Sequence, residues 1–261
     1  MHPFFIPGTN QSTFYMIQKI LRIAGFILLL VAGGCCLNSV LHIDNYPGKI
    51  WLHRCNSVEK YREKHPRYPN VEIDLVFRDN QRFDVTHDID TTFGLTLDSI
   101  LAESLRRGGG NFWLDIKNLD ATNRRQVLSE MERLCTTYNV SPKQFILESP
   151  DWRSLSLLTR RGYYTSCYVP YDKPSDLERA EVKQCIMELR KVADSHAVRA
   201  LSFPGWWYPV LKKYLHRPID LLTWKHRTTQ FEFFLTPIGW KMLNDPQLKV
   251  ILIKDKGKFH R

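Results

Sequence analysis

A chain of 261 residues is long enough for one large α/β barrel or two small domains, and 43% apolar with 25% charged residues excludes disordered and fibrous classes. Its 37 basic and 27 acidic residues give a formal charge of +10, which directs attention to nucleic acid, an anionic membrane surface or a phosphate-bearing substrate. No zinc-finger, RNA-recognition or basic-heptad pattern is present, so nucleic acid is set aside.

Near the N-terminus, Lys19 and Arg22 flank an apolar run from Ile23 to about Ala32, followed by small residues and Cys35. A basic flank, a short apolar stretch and small residues describe a secretory signal, whereas a membrane span needs about 20 apolar residues. Ala32, Gly33 and Gly34 before Cys35 resemble a bacterial lipoprotein cleavage site. The alternative is an uncleaved anchor that keeps Lys19 and Arg22 on the cytoplasmic side. Residues 1–15 are read as the product of an upstream start site. Either way the expectation is an exported, cell-envelope protein attached to the membrane through residues 1–37, with a linker over 38–48 and a folded domain over 49–261. Export permits disulfides among Cys55, Cys135, Cys167 and Cys185, but no Cys-x-x-Cys pair occurs. Three of these lie among apolar neighbours, where a free buried thiol is the commoner state.

Strand-length apolar runs then recur near Lys49 to Arg54, Val71 to Phe77, Asn111 to Lys117, Gln144 to Ser149, Tyr164 to Val169, Ala197 to Phe203, Ile219 to Trp224 and Val250 to Lys254. Helical spacing appears between them, at Leu97, Ile100, Leu101 and Leu105 and over Thr122 to Tyr138, Trp152 to Arg161 and Leu177 to Ala193. Eight β/α alternations with continuous apolar strands predict a single-domain (β/α)8 TIM barrel. A doubly wound open sheet would show a Gly-rich turn after its first strand, and none occurs. Gly108 to Gly110 follows a helix and precedes a strand, so it reads as a helix cap and tight turn. The run Phe-Pro-Gly-Trp-Trp-Tyr-Pro, bracketed by Pro204 and Pro209, reads as a stiff loop.

The stretch from Trp51 to Asp88 concentrates the candidate chemistry. Glu72 and Asp74 share one face of the second strand, with Val71, Ile73 and Leu75 on the other. Buried carboxylates cost on the order of several kcal/mol each unless a cation or a metal accompanies them. His53 and Arg54 end the first strand, His87 and Asp88 follow shortly, and Asp115 and Lys117 end the third.

In order and spacing these residues resemble the glycerophosphodiester phosphodiesterase family, within the wider phospholipase-C-like phosphodiesterase superfamily of TIM barrels. The Leu-Thr-Trp-Lys-His segment around Trp224 is similar to a Trp-Thr segment on the family's seventh strand, in reversed order. Cys55 and Asn56 stand where the family has Gly and then Glu, and Asp115 stands where Glu is more usual. His53 with Asn56, and Asp115 with Lys117, are closer to the related sphingomyelinase D group. The resemblance implies a metal-dependent phosphodiesterase acting on a glycerophosphodiester or related phospholipid headgroup. It implies His53 and His87 as acid and base, one activating the attacking hydroxyl or water and the other protonating the leaving alcohol. A sphingomyelinase D-like enzyme using the substrate's own hydroxyl is the alternative. A non-catalytic barrel that binds phosphate ligands is the other.

The residue types support the same chemistry. Glu72, Asp74 and Asp115 offer only oxygen ligands, which suits a hard divalent cation, and so few of them favour Mg²⁺ over a fully caged Ca²⁺, which stays open. Arg54 suits bidentate contact with phosphate and Lys117 acts as a point charge. Imidazole titrates near neutrality, which lets histidine both give and take a proton. Each residue has a plainer alternative: Glu72 and Asp74 paired with Arg78 or Arg82, or Asp115 and Lys117 as an exposed pair worth under about 1 kcal/mol. Joint occurrence in order along the strands outweighs these. Asn56 is open to a metal, phosphate or turn role, and Glu148 to a place near the site or a loop hydrogen bond. Trp206, Trp207, Tyr208 and Trp224 either shape a pocket for a lipid headgroup or cap the barrel core. The basic tail from Lys254 to Arg261 reads as a solvated terminus.

Overall fold

The computed structural model describes residues 19–28, 46–224, 233 and 236–255. The chain divides between Asn45 and Tyr46. In the first unit the described residues form one helix, α1 (19–28), whose Ile20, Leu21, Ile23, Phe26, Ile27 and Leu28 are exposed. No helix among the described residues is long and apolar enough to cross a membrane. The small-residue and cysteine segment at Ala32 to Cys35 and the first part of the linker lie outside the described residues.

The second unit alternates strands and helices: β1 (Ile50–Leu52), α2 (Val58–Lys64), β2 (Val71–Phe77), β3 (Phe83–Val85), α3 (Leu97–Arg106), β4 (Phe112–Ile116), α4 (Arg124–Tyr138), β5 (Phe145–Ser149), α5 (Trp152–Arg160), β6 (Tyr164–Tyr168), α6 (Arg179–Asp194), β7 (Ala200–Pro204), α7 (Tyr208–Tyr214), β8 (Asp220–Trp224), α8 (Pro237–Asn244) and β9 (Leu248–Ile253). Parallel pairing runs β1-β9-β8-β7-β6-β5-β4-β2, and Leu52 against Val71 closes β2 back onto β1. The result is a closed (β/α)8 barrel, with β3 added as an antiparallel ribbon on β2.

Period-two alternation places Trp51, Trp113, Ile146, Ala200, Leu222, Trp224, Val250 and Leu252 together inside the barrel. The opposite strand face, including Leu52, Ile73, Leu114 and Leu147, is fully buried against the helices, each such side chain contributing about 1.5–3 kcal/mol. Helix α3 buries Leu97, Ile100, Leu101 and Ser104, the spacing of a single helical stripe. Gly109, at φ 86°, closes that helix by donating its N–H to Ser104 O at 2.9 Å. Gly110 is needed for space: a Cβ there would lie 2.1 Å from the carbonyl oxygen of Pro69.

Two local expectations are corrected. The Pro204 to Pro209 run is the end of β7, a 3-10 turn over Gly205–Trp207 and the start of α7, rather than an irregular loop. Pro209 falls in the first helical turn, where its missing N–H has no partner to lose. The apolar residues Phe83 and Val85 form β3, which the sequence reading left without a strand. All four cysteines of the barrel are free thiols, with Cys55, Cys167 and Cys185 buried.

Candidate active site

His53, Arg54, Glu72, Asp74, His87, Asp115, Lys117, Glu148, Trp206 and Trp224 line the cavity at the C-terminal ends of the strands, about 560 Å³ in volume; Asn56 stands just behind it, and Trp207 and Tyr208, offered by the sequence as pocket residues, are buried and do not line it. Register explains the convergence. Asp74 on β2 stands level with Asp115 on β4, and Asp115 level with Glu148 on β5, so three acids line up across adjacent strands. One carboxylate oxygen from each of Glu72, Asp74 and Asp115 lies within 4.8 Å of the others.

The segment after β1 wraps this cluster. Arg54 adopts a left-handed backbone, φ 55°, and its N–H donates to Glu72 Oε2 at 2.6 Å. Asn56 grips Asp74 twice: its side-chain N–H donates to Oδ2 at 2.7 Å, and its carbonyl oxygen accepts from the Asp74 N–H at 3.0 Å. Asn56 is thus an orienting group for a carboxylate. Lys60, buried on α2, donates to the carbonyl oxygens of His53 and Arg54 at 3.3 and 2.7 Å and so ties down the turn. Nothing in the polar sequence of α2 marks that lysine as buried.

Charge is shared unevenly among the acids. Burial, then the neighbouring Asp74 and Asp115, push the Glu72 carboxyl well above the usual carboxylate range. Burial also raises Asp115, against the pull of Lys117. Asp74 is as deeply buried, yet Lys117, Asn56 and Arg54 overcome that and hold it below its ordinary value. Lys117 lies 2.6 Å from Asp74 Oδ1 and contacts Asp115 as well. Burial works against its charge, but Asp115, Asp74 and Glu72 keep its ammonium above the normal lysine value. Arg78 and Arg82 pair instead with Asp84 and Glu130, which leaves Glu72 and Asp74 to the site.

The two histidines reach the cavity from different supports. His53 continues β1 and its Nε2 lies 3.7 Å from Glu72. His87 follows β3 and is exposed, with Nδ1 2.8 Å from Asp88. Thr86 anchors the end of that ribbon by donating its N–H to Asp74 O at 3.1 Å. On the far side of the cavity, Tyr168 stacks on Trp224 at 5.4 Å between centroids, beside Tyr171 and Trp206. Trp207 turns inward and donates to Asp172 O, supporting that wall from behind. Burial pushes the thiols of Cys55 and Cys167 up to about 12, so neither serves as a nucleophile.

Fold and mouth together define a barrel with a buried carboxylate cluster, flanking cations and two imidazoles. Solved structures share the architecture. A glycerophosphodiester phosphodiesterase from Parabacteroides distasonis superposes over 78% of this chain and 91% of its own, with TM-score 0.54 and 12% identity. An Oleispira antarctica phosphodiesterase, solved with the product sn-glycerol-3-phosphate, covers 80% of this chain and 93% of its own, with TM-score 0.52 and 10% identity. At such identity the likeness is one of fold. No protein-family model and no curated protein matches the sequence.

Proposed function

We propose that this barrel is a divalent-cation-dependent phosphodiesterase that hydrolyses a glycerophosphodiester or a related phospholipid headgroup, with His53 and His87 as its acid–base pair. The observation that carries the reading is the meeting of Glu72, Asp74 and Asp115 within 4.8 Å at a cavity that also receives both histidines, Arg54 and Lys117. The Oleispira neighbour, which holds sn-glycerol-3-phosphate in a barrel of the same fold, supports a glycerol-bearing diester.

The donor set fits a hard cation: three carboxylates, no thiol, and a Glu72 whose charge burial and like-charged neighbours oppose. Mg²⁺ is favoured over Ca²⁺ because so few protein ligands leave most of the shell to water and substrate. When bound, such an ion neutralises a phosphoryl oxygen and the charge that builds up during attack. Arg54 and Lys117 share the remaining phosphate charge. Asp88 holds the His87 ring through Nδ1, so Nε2 is the nitrogen left for proton exchange. One imidazole removes the proton from the attacking group, and the other protonates the departing alkoxide. Where the alcohol carries a neighbouring hydroxyl, that tethered group is the better nucleophile and a cyclic phosphate forms first.

Turnover of an aryl phosphodiester that rises with added Mg²⁺ or Ca²⁺ and stops on chelation tests the reading; cation-independent or absent turnover would sink it. Product analysis on glycerophosphocholine, lysophosphatidylcholine and sphingomyelin separates hydrolysis from attack by an internal hydroxyl.

Export and attachment to the cell envelope belong to the same reading. Support comes from α1, where Lys19 and Arg22 accompany exposed apolar side chains. Sequencing the N-terminus of the native protein, with membrane fractionation, checks it.

A further inference from the structure

Outside the mouth, a second recess of about 600 Å³ lies between α6 and the end of α7. Helix α6 supplies Val182, Lys183, Ile186, Met187 and Arg190 to it, and α7 supplies Tyr214. Side chains four residues apart on a helix share a face, so Val182, Ile186 and Arg190 form one row and Lys183 and Met187 the row beside it. The core stripe of α6 is Cys185, Ile186, Leu189, Val192 and Ala193. Val182 and Met187 fall beyond that stripe, and Met187 is 39% exposed, as is Tyr214 at 43%. Single exposed apolar side chains are ordinary, but apolar side chains gathered around a hollow mark a binding site. The hollow is braced in advance: Arg190 donates to the carbonyl oxygens of Tyr214 and Leu215, the latter at 3.2 Å, and so ties α6 to the end of α7.

Charge and size select the occupant. Arg179, Lys183 and Arg190 line the recess and no acid does, while Lys213 lies over the Tyr214 ring at 5.0 Å. Arg179 and Lys183 stand one turn apart, and neither forms an ion pair among the described residues. Two such cations beside an apolar trough complement a ligand with one anionic end and one alkyl chain. Nine residues line the recess, whereas a stable protein interface takes about 20–30 on each side. From Arg179 to Arg190 the helix runs about 16 Å at 1.5 Å per residue, which accommodates an extended alkyl chain.

We propose that the α6–α7 recess binds a fatty-acid anion, with its carboxylate between Arg179 and Lys183 and its chain along Val182, Ile186, Met187 and Tyr214. The assignment is independent of the phosphodiesterase reading. The two cavities share no lining residue, although Lys173 borders one and Pro174 the other.

The test titrates decanoate, 1-decanol and decyltrimethylammonium into the full chain by calorimetry at low salt and without divalent cation. Decanoate is expected to bind about tenfold or more tightly than the other two, because hydrogen bonds from charged donors stabilise only the carboxylate. Lys183→Glu is expected to abolish that preference and Met187→Asp to weaken decanoate about fivefold or more; both side chains are exposed, so the core is untouched. Ile23→Asp, on the exposed apolar face of α1, is expected to leave decanoate binding unchanged. Equal affinity for the three ligands, or decanoate binding that survives both Lys183→Glu and Met187→Asp, overturns the site. Loss of binding in Ile23→Asp assigns the ligand to α1 instead, and absence of decanoate binding removes the proposal outright. None of these outcomes bears on turnover at the mouth.

Discussion

The two walls of the mouth are built from different chemistry. The segments from β1 to β4 supply His53, Arg54, Glu72, Asp74, His87, Asp115 and Lys117, whereas those from β6 to β8 supply Tyr168, Tyr171, Trp206 and Trp224. Glu148 on β5 stands at the seam. The charged wall is held by specific hydrogen bonds: Asn56 on Asp74, Arg54 N–H on Glu72, Lys60 on two carbonyl oxygens. The aromatic wall is held mainly by stacking and burial, with the Trp207 hydrogen bond to Asp172 O behind it. Under the proposed function reactivity depends on the first wall and substrate fit on the second, and changes to each should fail in different ways.

The largest expected effect is on the charged wall. His53→Ala or His87→Ala should lower turnover by about 10²–10⁴-fold with an unchanged circular dichroism spectrum. Equal activity in the variants would remove the acid–base assignment. Next, Asn56→Ala frees Asp74 from its orienting contacts and should weaken divalent-cation affinity by roughly 10–100-fold, read by calorimetric titration.

The third expectation concerns pH. Burial and two neighbouring acids raise the Glu72 carboxyl, so below that raised value a cation must displace a proton, and its affinity should fall by up to about tenfold per pH unit. Without cation the sign is set the same way. A raised carboxyl contributes stability that is fully present below its unfolded pKa and is lost as pH rises through the folded one. The cation-free Tm should therefore decline across that window, and the cation should restore it; Glu72→Gln should flatten the decline.

Smaller effects separate support from contact. Lys60→Met leaves the carbonyl oxygens of His53 and Arg54 without their donor and should cost about 1–2 kcal/mol in chemical denaturation. Trp206→Ala, on the aromatic wall, should raise KM about threefold to tenfold with kcat nearly unchanged, the mark of lost uniform binding. A drop in kcat there equal to that of the histidine variants would erase the distinction between the walls.

That distinction also explains what was legible in the sequence. The charged wall was readable because Glu72 and Asp74, or Asp115 and Lys117, keep strand periodicity between apolar residues, and such residue types in that order have few other uses. Barrel strands were readable for the same reason. The supports were not: Lys60 lies in a polar helix with no sign of burial, and β3 is only three residues long. Around Trp206 and Trp207, prolines on both sides imitate a loop, although one ends a strand and the other begins a helix. Glu148 was visible as a strand-end acid, but its place in the cavity level with Asp115 comes from the register of two neighbouring strands.

The interior tryptophans have a practical consequence. Trp113 and Trp224 border the cavity, and Trp113 precedes Asp115 by two residues on the same strand face. Their indole emission is therefore expected to report any loading of the cavity with cation or phosphate, readable on unlabelled protein and without any turnover.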